Sequence, residues 1–226
     1  MKKSPQITPE SIARYDRFTL GRAFICSFLV LLGGCAALPD KPVRPAVYDF
    51  GPGLSAPLAA APVPAAATPA QAPLALAGIE APAAFDGTAV LYRLAYADVQ
   101  QLRPYAQARW SMPPAQLVRQ RLRERLSPQR AVLNPGEGAA GQTLRLELEE
   151  FSQVFDAPER ASALVRLRAT LVETRSGRER LLAQRSFSAR EPAPTADAPG
   201  GVRALTAATD SALADIAQWL QQQSAP

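Results

Sequence analysis

The sequence predicts an α+β domain: a twisted, mainly antiparallel sheet with two helices packed on one face. Two observations carry that reading. Apolar and polar residues alternate over long stretches between residues 144 and 189, the two-residue period of half-buried strands. Two further stretches, after Pro114 and towards the C-terminus, repeat their apolar residues at the spacing of amphipathic helices. A sheet and helices that each present one apolar side bury it most economically as two layers.

The elements follow in order. Val47-Tyr48-Asp49-Phe50 reads as a first strand, ahead of Gly51-Pro52-Gly53 and an Ala/Pro tract that reaches Pro73. Pro57, Pro62, Pro64, Pro69 and Pro73 each lack an amide donor and bias the preceding residue away from helix, so the tract is a tether or, if the first strand docks, a loop. Leu74 to Ile79 and Thr88 to Leu94 are strands, followed by a short extended piece from Leu102 to Trp110. Ser111 and the pair Pro113-Pro114 then open a helix, because proline's missing amide has no partner in a first turn. Val118, Leu122 and Leu126 repeat along its apolar face, with Leu117 beside them. Arg119, Arg121, Arg123 and Arg125 occupy much of the rest, either as a solvated face or as a contact for acidic headgroups or an acidic partner.

Leu144, Leu146 and Leu148 alternate with Arg145, Glu147 and Glu149, but Phe151 and Phe155 have the opposite parity. A β-bulge at Glu149-Glu150 returns the aromatics to the core. Ala163, Val165, Leu167, Ala169 and Leu171 form the next strand, a turn follows at Thr174-Arg175-Ser176-Gly177, and the third strand runs from Leu181 to Ala189. The three make an antiparallel meander with one wet face. A loop with Pro192, Pro194, Pro199, Gly200 and Gly201 leads to the last helix, where Val202, Leu205, Ala212, Leu213, Ile216 and Leu220 share a stripe and Trp219 sits at its margin. For Trp110 and Tyr92, core packing outweighs a lipid or partner contact.

The N-terminus has another character. Lys2, Lys3, Arg14, Arg17 and Arg22 precede an apolar core from Ala23 to Leu32, which is far short of the roughly 20 residues that span a bilayer. Leu32-Gly33-Gly34-Cys35 fits the lipobox of a bacterial lipoprotein signal, the alternative being an ordinary secretory signal or a short anchor helix with an incidental cysteine. The organisation expected is a cleaved signal over residues 1–34, a lipidated N-terminus and tether or loop over 35–73, and the α+β domain over 74–223. Acylation of Cys35 with two or three chains would bind a membrane almost permanently. Ala36 stands where an Asp would resemble an inner-membrane retention signal, which favours the outer membrane facing the periplasm.

Cleavage also changes the charge. The 226-residue chain is formally +5, but the signal supplies +3, so the case for a nucleic-acid partner fades. Cys26 leaves with the signal and Cys35 is acylated, so no disulfide forms. The sequence has no histidine, which removes Ser-His-Asp catalysis, Cys-His catalysis and His-containing zinc sites. No cofactor motif is present. The densest acidic cluster is Glu147, Glu149 and Glu150; a hydrolase would need two of them to converge in a closed cleft.

Several landmarks together resemble a known family. They are the lipobox cysteine, Leu91-Tyr92-Arg93, Tyr105, the run Arg109-Trp110-Ser111-Met112-Pro113-Pro114 opening a helix, Leu148-Glu149-Glu150-Phe151, and the C-terminal Ile216-Ala217-Gln218-Trp219-Leu220. The chain resembles the ABC-type transport auxiliary lipoproteins, the PqiC-like partners of MCE-domain transport systems, over most of residues 74–223. The resemblance implies a non-enzymatic periplasmic subunit, held at the outer membrane through Cys35. Its partners would be an MCE-domain protein and an ABC permease, its cargo phospholipid or another hydrophobic compound, and further copies of itself a possible ring. The rival reading is an assembly lipoprotein resembling the lipopolysaccharide-export plug, whose partner would be a large β-barrel.

Overall fold

The computed structural model describes residues 44–53, 71–138, 140–175 and 177–223. The eight strands are β1 (Ala46–Tyr48), β2 (Gln71–Glu80), β3 (Ala89–Leu94), β4 (Asp98–Trp110), β5 (Arg130–Leu133), β6 (Gln142–Ala157), β7 (Arg160–Arg175) and β8 (Arg178–Pro192). Helix α1 (Pro114–Leu126) joins β4 to β5, α2 (Ala198–Gln223) closes the fold, and a 3-10 turn at Ala83–Phe85 separates β2 from β3. All eight strands belong to one open, mixed sheet whose long ladders are antiparallel.

The length of β6 organises the sheet. Sixteen strand residues extend about 50 Å, enough for one side of β6 to accept two neighbours end to end. Along Gln142 to Glu147 it pairs in parallel with β2, and along Gln153 to Phe155 in parallel with β3. Beyond β2 lies β5; beyond β3 lie β4 and then β1. The opposite side of β6 pairs with β7, and β7 with β8, as the meander expected from the alternation.

The bulge falls where the parity of the aromatics requires it. Leu148 is matched to Leu167 and Glu150 to Arg166, leaving Glu149 as the extra residue. Leu144, Leu146 and Leu148 before the bulge and Phe151 and Phe155 after it are accordingly all buried. The turn after β7 contains Gly177 at φ +76°, a conformation that glycine adopts without steric cost.

One expected element is longer than its sequence suggests, and one strand was not expected at all. The piece ending at Trp110 is a 13-residue strand, because β3 supplies it with a long antiparallel partner. The four residues of β5, Arg-Ala-Val-Leu, are too short to show a period, and they become a strand by pairing with β2.

Helix α2 also begins earlier than the Pro/Gly-rich segment suggests. Asp197 caps it, accepting the Gly200 amide at 2.7 Å, and Pro199 falls in the first turn. The two glycines permit close approach: a Cβ at Gly200 would collide with the Thr195 carbonyl, and one at Gly201 with the Gln153 side-chain amide. The stripe from Val202 to Leu220 is buried against the sheet and α1. Trp219, expected at the margin, is also buried, edge-on to Phe187 with centroids 5.7 Å apart.

The Thr195 hydroxyl and the Gly200 amide hold the Asp197 carboxyl below the usual carboxylate range. Its folded form therefore binds a proton less tightly than the unfolded chain. The resulting stabilisation is complete above a pH of about 4 and is lost as pH falls through the lowered value. Asp197→Ala is expected to lower stability by about 1 kcal/mol at neutral pH. Urea unfolding at several pH values should show the gap between variant and parent closing in acid.

Candidate functional site

Cys35 lies outside the described residues, and the first described segment after it in sequence, from Arg44, is firmly seated. β1 pairs in parallel with β4, matching Ala46 to Ala108, Val47 to Arg109 and Tyr48 to Trp110. The Ser111 amide donates to the Tyr48 carbonyl at 2.7 Å, extending this short ladder. Phe50 then turns into the core, where its ring meets Trp110 edge-on at 5.6 Å and Phe151 at 6.3 Å. Trp110, 2% exposed, touches Phe151 at 5.6 Å and completes the triad. Both Phe50 and the later β2 belong to one fold, so the Ala/Pro tract joins two parts of that fold.

An arginine fastens the same segment to both helices. Arg121 Nη2 donates to the Phe50 carbonyl at 3.0 Å, while its Nε and Nη2 donate to the two carboxylate oxygens of Asp210 on α2, at 2.8 and 3.2 Å. Arg121 is 7% exposed, so the solvated-face and headgroup readings of this residue are both corrected. Two neighbours are committed as well. Arg119 donates to the Leu76 and Ala77 carbonyls and to Asn134, and Arg123 to the Val132 carbonyl and Asn134. Asn134 in turn hydrogen-bonds the Glu137 carboxyl and, with Arg123 and Arg119, holds it below the usual carboxylate range. Arg119, Arg121 and Arg123 are thus structural cross-braces, and their bonds go largely to backbone carbonyls.

The acidic cluster is divided by its pairing. Glu147 and Glu149 both face Arg168, at 3.7 Å for Glu147, whereas Glu150 is buried and paired with Arg93 at 3.2 Å. The carboxylates do not converge on each other in a closed cleft. Tyr105, against Tyr92 at 4.6 Å, donates its hydroxyl to Gln153 Oε1 at 2.8 Å. Burial first, then the proximity of Tyr92 and Asp197, raises the Tyr105 pKa far above the ordinary phenol value, so this hydroxyl remains a hydrogen-bond donor. Among the described residues no group of three or more His, Cys, Asp or Glu side chains is placed to hold a metal. None of their helices is long and apolar enough to cross a membrane.

What remains open to a partner is backbone and mixed charge. β8 is an edge strand, and the outer face of the meander carries Arg145 with Glu179 at 2.5 Å and Arg180 with Glu173 at 3.1 Å. Opposite charges interleave there, giving no single-sign patch. An edge strand beside such a face is suited to docking another protein.

An open sheet backed by two helices, tied together by the Arg121 cross-brace, defines a small α+β domain. The chain belongs to the ABC-type transport auxiliary lipoprotein component family, whose model matches residues 54–217. The family is one of lipoproteins associated with ABC-type transport. The fold is similar to that of protein XCC0632 from Xanthomonas campestris, at 19% identity and a TM-score of 0.60, covering 72% of this chain and 90% of that one. It is also similar to a second crystal structure, of an uncharacterised protein, at 17% identity and a TM-score of 0.58, covering 78% and 99%. No curated protein matches the sequence.

Proposed function

We propose that the protein is a non-enzymatic periplasmic adaptor, acylated at Cys35 after removal of residues 1–34 and held on the inner face of the outer membrane. There it docks an MCE-domain conduit and its ABC permease, helping phospholipid or another hydrophobic compound cross the periplasm. The observation that most supports this reading is the seating of the Arg44–Gly53 segment. The chain that follows Cys35 is fastened to the core and both helices, so pull on the anchor is transmitted to the whole domain. Only eleven residue steps separate Cys35 from Ala46, which keeps that first strand within about 40 Å of the bilayer. The adaptor holds its partner near the membrane, and transport chemistry belongs to the permease.

Affinity purification of the tagged chain from detergent-solubilised membranes tests the partner assignment. An MCE-domain protein and an ABC permease are expected to co-purify. Recovery of a large β-barrel in their place would favour the export-plug reading.

A further inference from the structure

We propose that the tip of the β3–β4 hairpin is a second contact with the bilayer, made by Tyr96 and Val99. This inference rests on acylation at Cys35 and extends it from a point of attachment to an orientation of the domain.

Four large apolar side chains are exposed among the described residues: Val47, Tyr96, Val99 and Leu181. Two of them, Tyr96 at 48% and Val99 at 55%, sit three residues apart on one hairpin tip. From Leu94 to Leu102 the chain carries a single formal charge, Asp98, whose carboxylate accepts the Gln100 amide at 2.9 Å. A tyrosine, with an apolar ring and a polar hydroxyl, suits the boundary between headgroups and acyl chains.

The tip is also held in shape. Arg93 is matched to Leu102 but its neighbour Leu94 to Asp98, so residues 99–101 bulge out of the ladder. Arg93 Nη1 donates to the Val99 and Gln100 carbonyls, both at 3.3 Å, and its Nη2 to Glu150 of β6 at 3.2 Å. At the turn itself the Ala95 amide donates to the Phe155 carbonyl at 2.9 Å. A side chain displayed on a braced bulge loses little conformational freedom when it meets a surface.

The direction of the chain selects a membrane as the occupant. Because β1 runs parallel to β4 and Ala46 is matched to Ala108, the chain towards Cys35 leaves β1 on the side of the hairpin tip. From Ala108 back to Asp98 along β4 is about 30 Å, and the eleven steps from Ala46 to Cys35 reach about 40 Å at most. The lipid and the tip can therefore enter one bilayer plane. Leu181 marks the other end of the sheet, where β8 begins. A contact of this kind is apolar, so salt should not release it.

The test uses the full acylated protein in vesicles of phosphatidylethanolamine and phosphatidylglycerol that contain a shallow spin-labelled quencher lipid. Tyr96→Trp and, as the control, Leu181→Trp are compared with the parent, whose Trp110 and Trp219 are buried. The Tyr96→Trp indole is expected to lose emission to the quencher and shift to shorter wavelength, in low and high salt alike, while the Leu181→Trp indole does neither. Flotation of the protein with an unquenched Tyr96→Trp indole, or equal quenching at both positions, would overturn the tip contact alone. Failure to float at all would overturn acylation at Cys35 and this inference with it.

Discussion

Arg121→Ala is expected to destabilise the domain by about 3 kcal/mol, because removing one partner of a largely buried ion pair leaves the other uncompensated. The stranded groups are the Asp210 carboxylate, of which 16% of the side chain is exposed, and the Phe50 carbonyl. Arg121→Lys should recover only part of the loss, since an ammonium cannot reproduce the two-oxygen grip on Asp210 while also reaching Phe50. Arg125 provides the comparison. It makes no hydrogen bond or ion pair among the described residues, and Arg125→Ala is expected to change stability by less than about 0.5 kcal/mol. Urea midpoints at unchanged slope would measure all three. Equal effects at Arg121 and Arg125 would mean that the helix surface, and not the cross-brace, sets the cost.

Phe50→Ala is the second large effect. Truncating a buried phenylalanine costs about 3–5 kcal/mol through lost burial and the cavity left behind. Here it also removes two of the three contacts in the Phe50, Trp110 and Phe151 triad. Three ladder residues are little to hold β1 without that ring. The Ser111 amide, protected by its bond to Tyr48, is therefore expected to exchange its hydrogen much faster in the variant while amides in the β6–β7 ladder retain their order of protection. If Ser111 stayed protected and the loss were below about 1 kcal/mol, β1 would be held by its ladder and not by Phe50.

The sequence made the meander legible because period and parity are local. Three leucines on even positions followed by two phenylalanines on odd ones admit a strand only with an extra residue, and Glu149 is that residue. The antiparallel ladders and both helix faces follow from the same kind of signal. What escaped it depends on distant partners. Arg119, Arg121 and Arg123 look like a polar face until the carbonyls of Leu76, Phe50 and Val132 arrive beside them. The start of α2 was obscured because proline and paired glycines usually mark a loop, whereas here the glycines clear space for Thr195 and Gln153. A strand was readable at Val47 to Phe50, but its bounds at Ala46–Tyr48 and its seating beside Trp110 needed the whole sheet. The proposed site residue, Cys35, rests on a processing signal in the residues before it, which needs no distant partner to be read.

The central claim is attachment through that one cysteine to a domain whose first strand takes the load. The most direct measurement is fractionation of cells expressing Cys35→Ala from a signal that still exports the chain. The substituted domain is expected in the soluble periplasmic fraction, folded and with an unchanged urea midpoint, while the parent stays with the membranes. Retention of Cys35→Ala in the membranes after high-salt washing would contradict the account.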